Sequence, residues 1–201
     1  MGIEKSQLEE GGGEAAMPVS DWKADLEKAR ETKNAYFAQD WQSPIPPQDR
    51  PQFKGLQYYS PDLSYRFEVE FHEHPEKRMV RMAYTKGNEQ DFVRWGEFRF
   101  KIDGKELSLQ AYKRSHEEEM LFVPFRDATS GKETYGAGRY LDLEPDRDRT
   151  QEGKCILDFN QAYNPCCVYS ETYTCPIVPV ENWLEVPIWA DERGYHFPET
   201  D

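Results

Sequence analysis

Strict alternation of apolar and polar positions marks the middle of this chain. In residues 64–72, SYRFEVEFH, Tyr65, Phe67, Val69 and Phe71 fall on one side and Arg66, Glu68 and Glu70 on the other, which predicts a half-buried strand. Val80, Met82 and Tyr84 alternate again after the polar stretch HEHPEK, so a loop and an antiparallel partner strand are expected there. A third strand is expected at about residues 92–102, with Gly96 marking a bulge. The sharpest local signal is IDGKELSLQA, where Asp103-Gly104 supplies the two positive-φ positions of a tight hairpin turn. A two-residue turn fixes the register: Phe100 faces Leu107, Phe98 faces Leu109, and Lys101 faces Glu106 on the other side. Both faces agree on one alignment without adjustment.

Further strands are predicted at residues 119–123, 138–143 and 154–159, with an extended stretch near 183–189. Ahead of the strands, Ser20 can cap a helix over residues 21–38, with Asp21 in its first turn and Trp22, Leu26, Ala29 and Tyr36 or Phe37 at helical spacing. Residues 43–51, SPIPPQDRP, carry four prolines and are expected to form an extended connector. Residues 160–182 lose all periodicity, and no period of 20–50 residues repeats. The fold class is therefore mostly β (α+β): an antiparallel β-barrel or sandwich of about seven or more strands with one N-terminal amphipathic helix packed across an opening or edge. Residues 20–201 form one domain. Residues 1–19, with a Gly triplet and no apolar rhythm, are expected to be a disordered tail, and Met17 stands where a natural start would fall.

Composition narrows the function classes. Of 201 residues 37% are hydrophobic but 14% aromatic, so the core is built largely from rings. A net charge of −13 opposes phosphate backbones and anionic lipid, so neither nucleic acid nor membrane is an expected partner. No apolar run approaches the roughly 18 residues that span a bilayer, and no export signal is visible, which points to a soluble, cytoplasmic protein. With 14 Asp, 24 Glu and 12 Lys, the acidic surplus fits either a salt-adapted source or ordinary solubility. Cys155, Cys166, Cys167 and Cys175 crowd into the last quarter of the chain, without the CxxC pairs of zinc sites. Free thiols are the plainest reading, a site thiol the next.

Familiar signatures fail. TSGKET lacks the phosphate-loop pattern, since Arg126 and Glu133 stand at two of its required positions, and Gly136-Ala137-Gly138 has no third glycine. His72 and His74 share a strand face but lie where charged residues gather, so no metal is assigned and no cofactor is expected. Two long polar segments remain. PFRDATSGKETYGAGRYLDL, residues 124–143, interleaves Arg126, Asp127, Tyr135, Arg139 and Tyr140 with turn residues, and residues 158–188 bring Asp158, Asn160, Tyr163, Asn164, Cys167, Cys175, Glu181 and Asn182. Both are too rich in Gly, Pro and Asn to be strand throughout, and they are expected to meet.

On these two segments, with SPIP (43–46) and FKGLQYY (53–59), the chain resembles the prokaryotic domain of unknown function family 1684 over about residues 20–192. That resemblance implies no established activity, cofactor or partner. It departs from the family pattern at Cys166, where the family has an aromatic, and at Asp191, where it has a glycine. Three readings stay open. The first is a small polar or anionic ligand held by Arg126, Arg139 and Tyr135, oriented by Asn160, Tyr163, Asn164 and Asn182. The second is a hydrolase- or lyase-type enzyme with Asp158 or Glu181 as base and Cys167 or Cys175 as nucleophile. The third is a structural or interaction domain in which the motif merely locks an irregular segment. A shared site requires Arg126 or Arg139 to reach Asp158 or Glu181, and Tyr163 and Cys167 to line one concavity.

Overall fold

The structure, a computed structural model, describes residues 19–195. Met17 and the expected tail lie outside the described residues except for Val19, which already belongs to helix α1, Val19–Gln39, so Ser20 sits inside the helix rather than capping it. Seven strands follow among the described residues: β1 Arg66–Val69, β2 Phe71–Ala83, β3 Glu89–Ile102, β4 Lys105–Lys113, β5 Leu121–Phe125, β6 Arg139–Leu143 and β7 Cys155–Asp158. They form an antiparallel sheet in the order β2-β3-β4-β5-β6 and a two-stranded antiparallel sheet, β1-β7. The larger sheet does not close on itself, since β2 and β6 end it without pairing with each other, so the sandwich form of the expectation fits and a closed barrel does not.

The predicted hairpin is present residue for residue: Ile102 pairs with Lys105, Phe100 with Leu107 and Phe98 with Leu109, while Lys101 Nζ lies 3.0 Å from Glu106. Asp103 and Gly104 adopt φ of 49° and 77°, the left-handed pair that this turn needs. The register slips between Arg94 and Gly96. That extra residue reverses the parity of β3, which is why Phe92 faces one side of the sheet and Phe98 the other. On the first face Phe98, Leu109, Val123 and Phe125 are covered by β1, β7 and the stretch Leu184 to Ala190. On the second, Met82, Tyr112, Phe122 and Tyr140 pack around Val178.

Three expectations are corrected. Residues 64–72 do not form one strand: Tyr65 ends a 3-10 turn, β1 pairs with β7, and the chain breaks at Glu70 before β2 begins on a different partner. The expected loop at HEHPEK lies inside β2, whose register to β3 shifts between Glu73 and Arg78 and so tolerates Pro75. The polar groups there find partners, His74 Nε2 at 2.7 Å from Gln110 Oε1 and the Lys77 ammonium over the Trp95 ring at 4.4 Å. Residues 43–51 are not simply extended: turns and a 3-10 segment, Arg50–Gln52, fold them so that Ile45 is wholly buried.

The helix stripe also differs from the one expected. Leu26 and Phe37 are buried, but Ala29 and Tyr36 face solvent. The inward face runs Trp22, Leu26, Arg30, Lys33, Asn34 and Phe37, so polar side chains occupy half of the docking surface. Asn34 Oδ1, for example, accepts the Leu56 amide at 2.8 Å.

Leu109 is fully buried at the centre of the first face. Leu109→Ala is expected to lower unfolding free energy by about 2–5 kcal/mol in a urea titration. A loss under about 1 kcal/mol would mean that this face is not the core.

Candidate functional site

The two polar segments meet as expected. Tyr140 and Tyr163 exchange backbone hydrogen bonds at 2.9 Å, the Arg126 amide donates to the Asn182 carbonyl at 3.0 Å, and Asn182 Nδ2 donates to the Pro124 carbonyl at 2.7 Å. Antiparallel β5 and β6 place Phe125 opposite Arg139, so the intervening loop brings Asp127 back beside the Arg139 guanidinium. Gly138 makes the turn into β6 with φ of 102°, and a side chain there would run into the Phe125 carbonyl.

Arg139 has no solvent exposure. Its Nη2 donates to Asp127 Oδ2 at 3.0 Å and to the Ile188 carbonyl at 2.9 Å, and its Nη1 donates to the carbonyls of Ala190 and Glu192. The other Asp127 oxygen accepts from the Thr129 amide at 2.8 Å, the Thr129 hydroxyl at 2.6 Å and the Ile188 amide at 3.2 Å. This is a closed internal pair. Arg126 is different, half-buried with its guanidinium 4.4 Å above the Trp183 ring.

The expected link from either arginine to Asp158 or Glu181 does not form, because each carboxylate is already taken. Buried Asp158 accepts from Trp22 Nε1 at 2.7 Å, the Asn160 amide at 3.0 Å and Asn160 Nδ2 at 2.8 Å. Glu181 accepts from the Tyr112 hydroxyl at 3.0 Å, with Arg94 at 3.9 Å. The asparagines are used in the same way. Asn160 bridges Asp158 and the Asp62 backbone, Asn182 bridges Gln110 and Pro124, and Asn164 Nδ2 holds the Arg193 carbonyl at 2.8 Å.

Tyr163 and Cys167 have different partners. The Tyr163 hydroxyl donates to Asp142 Oδ2 at 2.7 Å, and burial raises the pKa of both that hydroxyl and the Asp142 carboxyl. Cys167 lies beside Cys175 and Tyr135: its amide donates to Cys175 Sγ at 3.3 Å, and the Tyr135 hydroxyl is 3.8 Å from its Sγ. A hydrogen bond from Cys175, helped by the hydroxyls of Tyr135 and Thr85, brings the Cys167 thiol down to about 6 against the opposing cost of burial. The shared proton and burial raise Cys175. None of these partners of Cys167 among the described residues is a histidine or carboxylate that could serve as the general base of acyl transfer.

Two groupings were not visible in the sequence. Glu192, buried among Lys33, the Asn164 amide at 2.7 Å and the Tyr169 hydroxyl at 2.9 Å, ties α1 to the C-terminal segment, and Arg30 pairs with Asp191 at 2.9 Å beside it. Asp191 holds φ of 53°, a conformation that a glycine would adopt without strain. The charged triplet Asp191-Glu192-Arg193 after an apolar stretch was the only available signal. The second grouping is a recess of about 410 Å³ between residues 52–57, 132–133 and 193–195, with Lys54, Lys132 and Arg193 on its walls.

A family model described as a protein of unknown function (DUF1684) matches residues 51–193, more than two-thirds of the chain. The chain belongs to this family. The DUF1684 domain is also similar to the solution NMR structure of an uncharacterised protein from Haloarcula marismortui, with 40% identity, a TM-score of 0.67, and coverage of 87% of this chain and 95% of that one. No curated protein matches the chain.

The two motif arginines should respond oppositely to removal. Arg139→Met strands the Asp127 carboxylate and three carbonyls, and is expected to cost about 3–5 kcal/mol in chemical denaturation. Arg126→Ala loses a partly exposed ring contact and is expected to cost no more than about 1 kcal/mol. Equal costs would refute the division of labour.

Proposed function

We propose that this DUF1684 domain binds a small anionic molecule, in the recess between the 132–133 turn and residues 193–195 rather than at the buried arginine. What supports this reading is the distribution of positive charge. In a chain of net charge −13, Lys54, Lys132 and Arg193 line one recess of about 410 Å³ whose one carboxylate among the described residues is Glu133. Glu133 pairs with Arg193, and among the described residues neither Lys54 nor Lys132 forms an ion pair. Elsewhere most cations are matched to carboxylates, as with Lys33, Arg30, Arg139 and Arg147.

The walls are held by backbone bonds. Gly194 donates its amide to the Glu133 carbonyl at 2.9 Å, Arg193 donates to the Gln57 carbonyl at 2.9 Å, and the turn at 129–134 is closed by the Thr129 carbonyl. Preset walls reduce the ordering cost of binding. The chain's overall negative field acts beyond about 10 Å at 0.1 M salt only weakly, so the nearby ammonium groups decide for a small ion. A long polyanion would meet the surrounding acidic surface as well.

Isothermal titration of the full chain with inorganic phosphate and with citrate tests the proposal. One saturable site is expected, weakened about tenfold, ~1.4 kcal/mol, by Lys132→Ala and again by Lys54→Ala. The absence of saturable heat with either anion, or unchanged affinity in both variants, would contradict it.

A further inference from the structure

We propose that Cys167 and Cys175 form a redox pair that hydroperoxides oxidise to a disulfide, with Cys167 as the attacking thiol and Cys175 as the resolving one. The pair shares no residue with the cation-lined recess, so the two readings stand or fall separately.

The argument begins with placement. The two sulfurs belong to opposite ends of an irregular loop, Cys167 in the short turn Cys166–Val168 and Cys175 beside the end of β2, where its amide donates to Thr85 Oγ1 at 3.2 Å and its carbonyl accepts the Thr85 amide at 3.0 Å. The Cys167 amide points at Cys175 Sγ from 3.3 Å, and the two thiols share a hydrogen bond. Neither is bonded to another sulfur. Cys167 is half-buried, whereas Cys175 is buried. That ordering suits an attacking thiol that meets the oxidant and a partner that meets only the product.

The surroundings favour a thiolate on Cys167. Hydrogen bonds from Cys175, Tyr135 and Thr85 stabilise the anion, and burial, with the bond to Cys167 added, pushes the Tyr135 hydroxyl up to about 12. A thiolate with a donor hydroxyl beside it is the reactive form towards peroxide oxygen. The neighbouring Cys166 is exposed but lacks these donors, and its thiol is shifted up rather than down, so it serves as an internal control.

The chemistry balances. The Cys167 thiolate attacks the terminal oxygen of a hydroperoxide, the O–O bond breaks, and the leaving alkoxide or hydroxide takes a proton to become an alcohol or water. Cys167 is then a sulfenic acid. The Cys175 sulfur attacks it, the S–O bond breaks, the hydroxyl leaves as water with the Cys175 proton, and a disulfide forms. Two thiols have lost two electrons in all, and one peroxide bond has gained them. An added dithiol reduces the disulfide by exchange and is itself oxidised to a disulfide.

The test is peptide mapping of the full chain after hydrogen peroxide at neutral pH, without reduction. The expected product is one disulfide between Cys167 and Cys175, with Cys155 and Cys166 still alkylable, and dithiothreitol restores all four thiols. In Cys175→Ser the reaction should stop at a Cys167 sulfenic acid trapped by dimedone. In unoxidised protein the iodoacetamide rate at Cys167 should have its midpoint near pH 6, and Tyr135→Phe should move that midpoint upward. Oxidation of Cys166 at a rate equal to or above that of Cys167, or a mapped product without the Cys167–Cys175 link, would overturn the proposal in wild-type protein, whatever the variants do.

Discussion

The Arg139 guanidinium is the point at which three separate parts of the chain become one structure. It stands on β6, pairs with Asp127 from the preceding loop, and holds three carbonyls of the segment Ile188 to Glu192. Burying an arginine without exposure is costly unless its charge is matched and its donors are used. Here the matching carboxylate is itself secured by Thr129 and by the Ile188 amide, so the ion pair also fixes the loop and the segment it bridges. Residues 183–189 belong to none of the seven strands; packing on the core, the backbone bonds of Leu184 and Val186 to Arg126 and Ala128, and these polar contacts together position them.

A second layer of charge depends on the first. Once Ala190 and Glu192 are held, Asp191 and Glu192 face helix α1, where Arg30 and Lys33 meet them. The helix thus docks on a polar surface, which explains how, among its described side chains, Leu26 and Phe37 suffice as buried apolar anchors. Burial together with the neighbouring Glu192 charge pushes the Asp191 carboxyl upward, with Arg30 opposing. The same segment then leads to Arg193 and the cation-lined recess, so the scaffold places the proposed anion site without contributing the buried arginine to it.

How far the sequence could be read depended on whether the relevant constraint was local. The β3–β4 hairpin was legible because a turn type, two apolar pairs and one charge pair all specify the same register over ten residues. The strand at β2 was misread because its polar side chains satisfy themselves across the sheet, on Gln110 and Trp95, and nothing local reports that. The meeting of the two polar segments was legible from their composition. The partner expected for Arg139 was Asp158 or Glu181, whereas the geometry of the β5–β6 connection brings Asp127 to it instead. Glu192 left no local trace beyond the charged triplet it belongs to, because Lys33, Asn164 and Tyr169, which it binds, all lie far from it along the chain.

If Arg139 makes the C-terminal segment part of the same cooperative unit as the sheet, hydrogen exchange of single amides will show it. The Ile188 amide, bonded to Asp127, and the Leu184 amide, bonded to the Arg126 carbonyl at 2.7 Å, should exchange in native protein as slowly as Tyr140 in β6 and respond equally to denaturant. Exchange of Ile188 and Leu184 by a separate, faster opening that leaves Tyr140 protected would contradict the account.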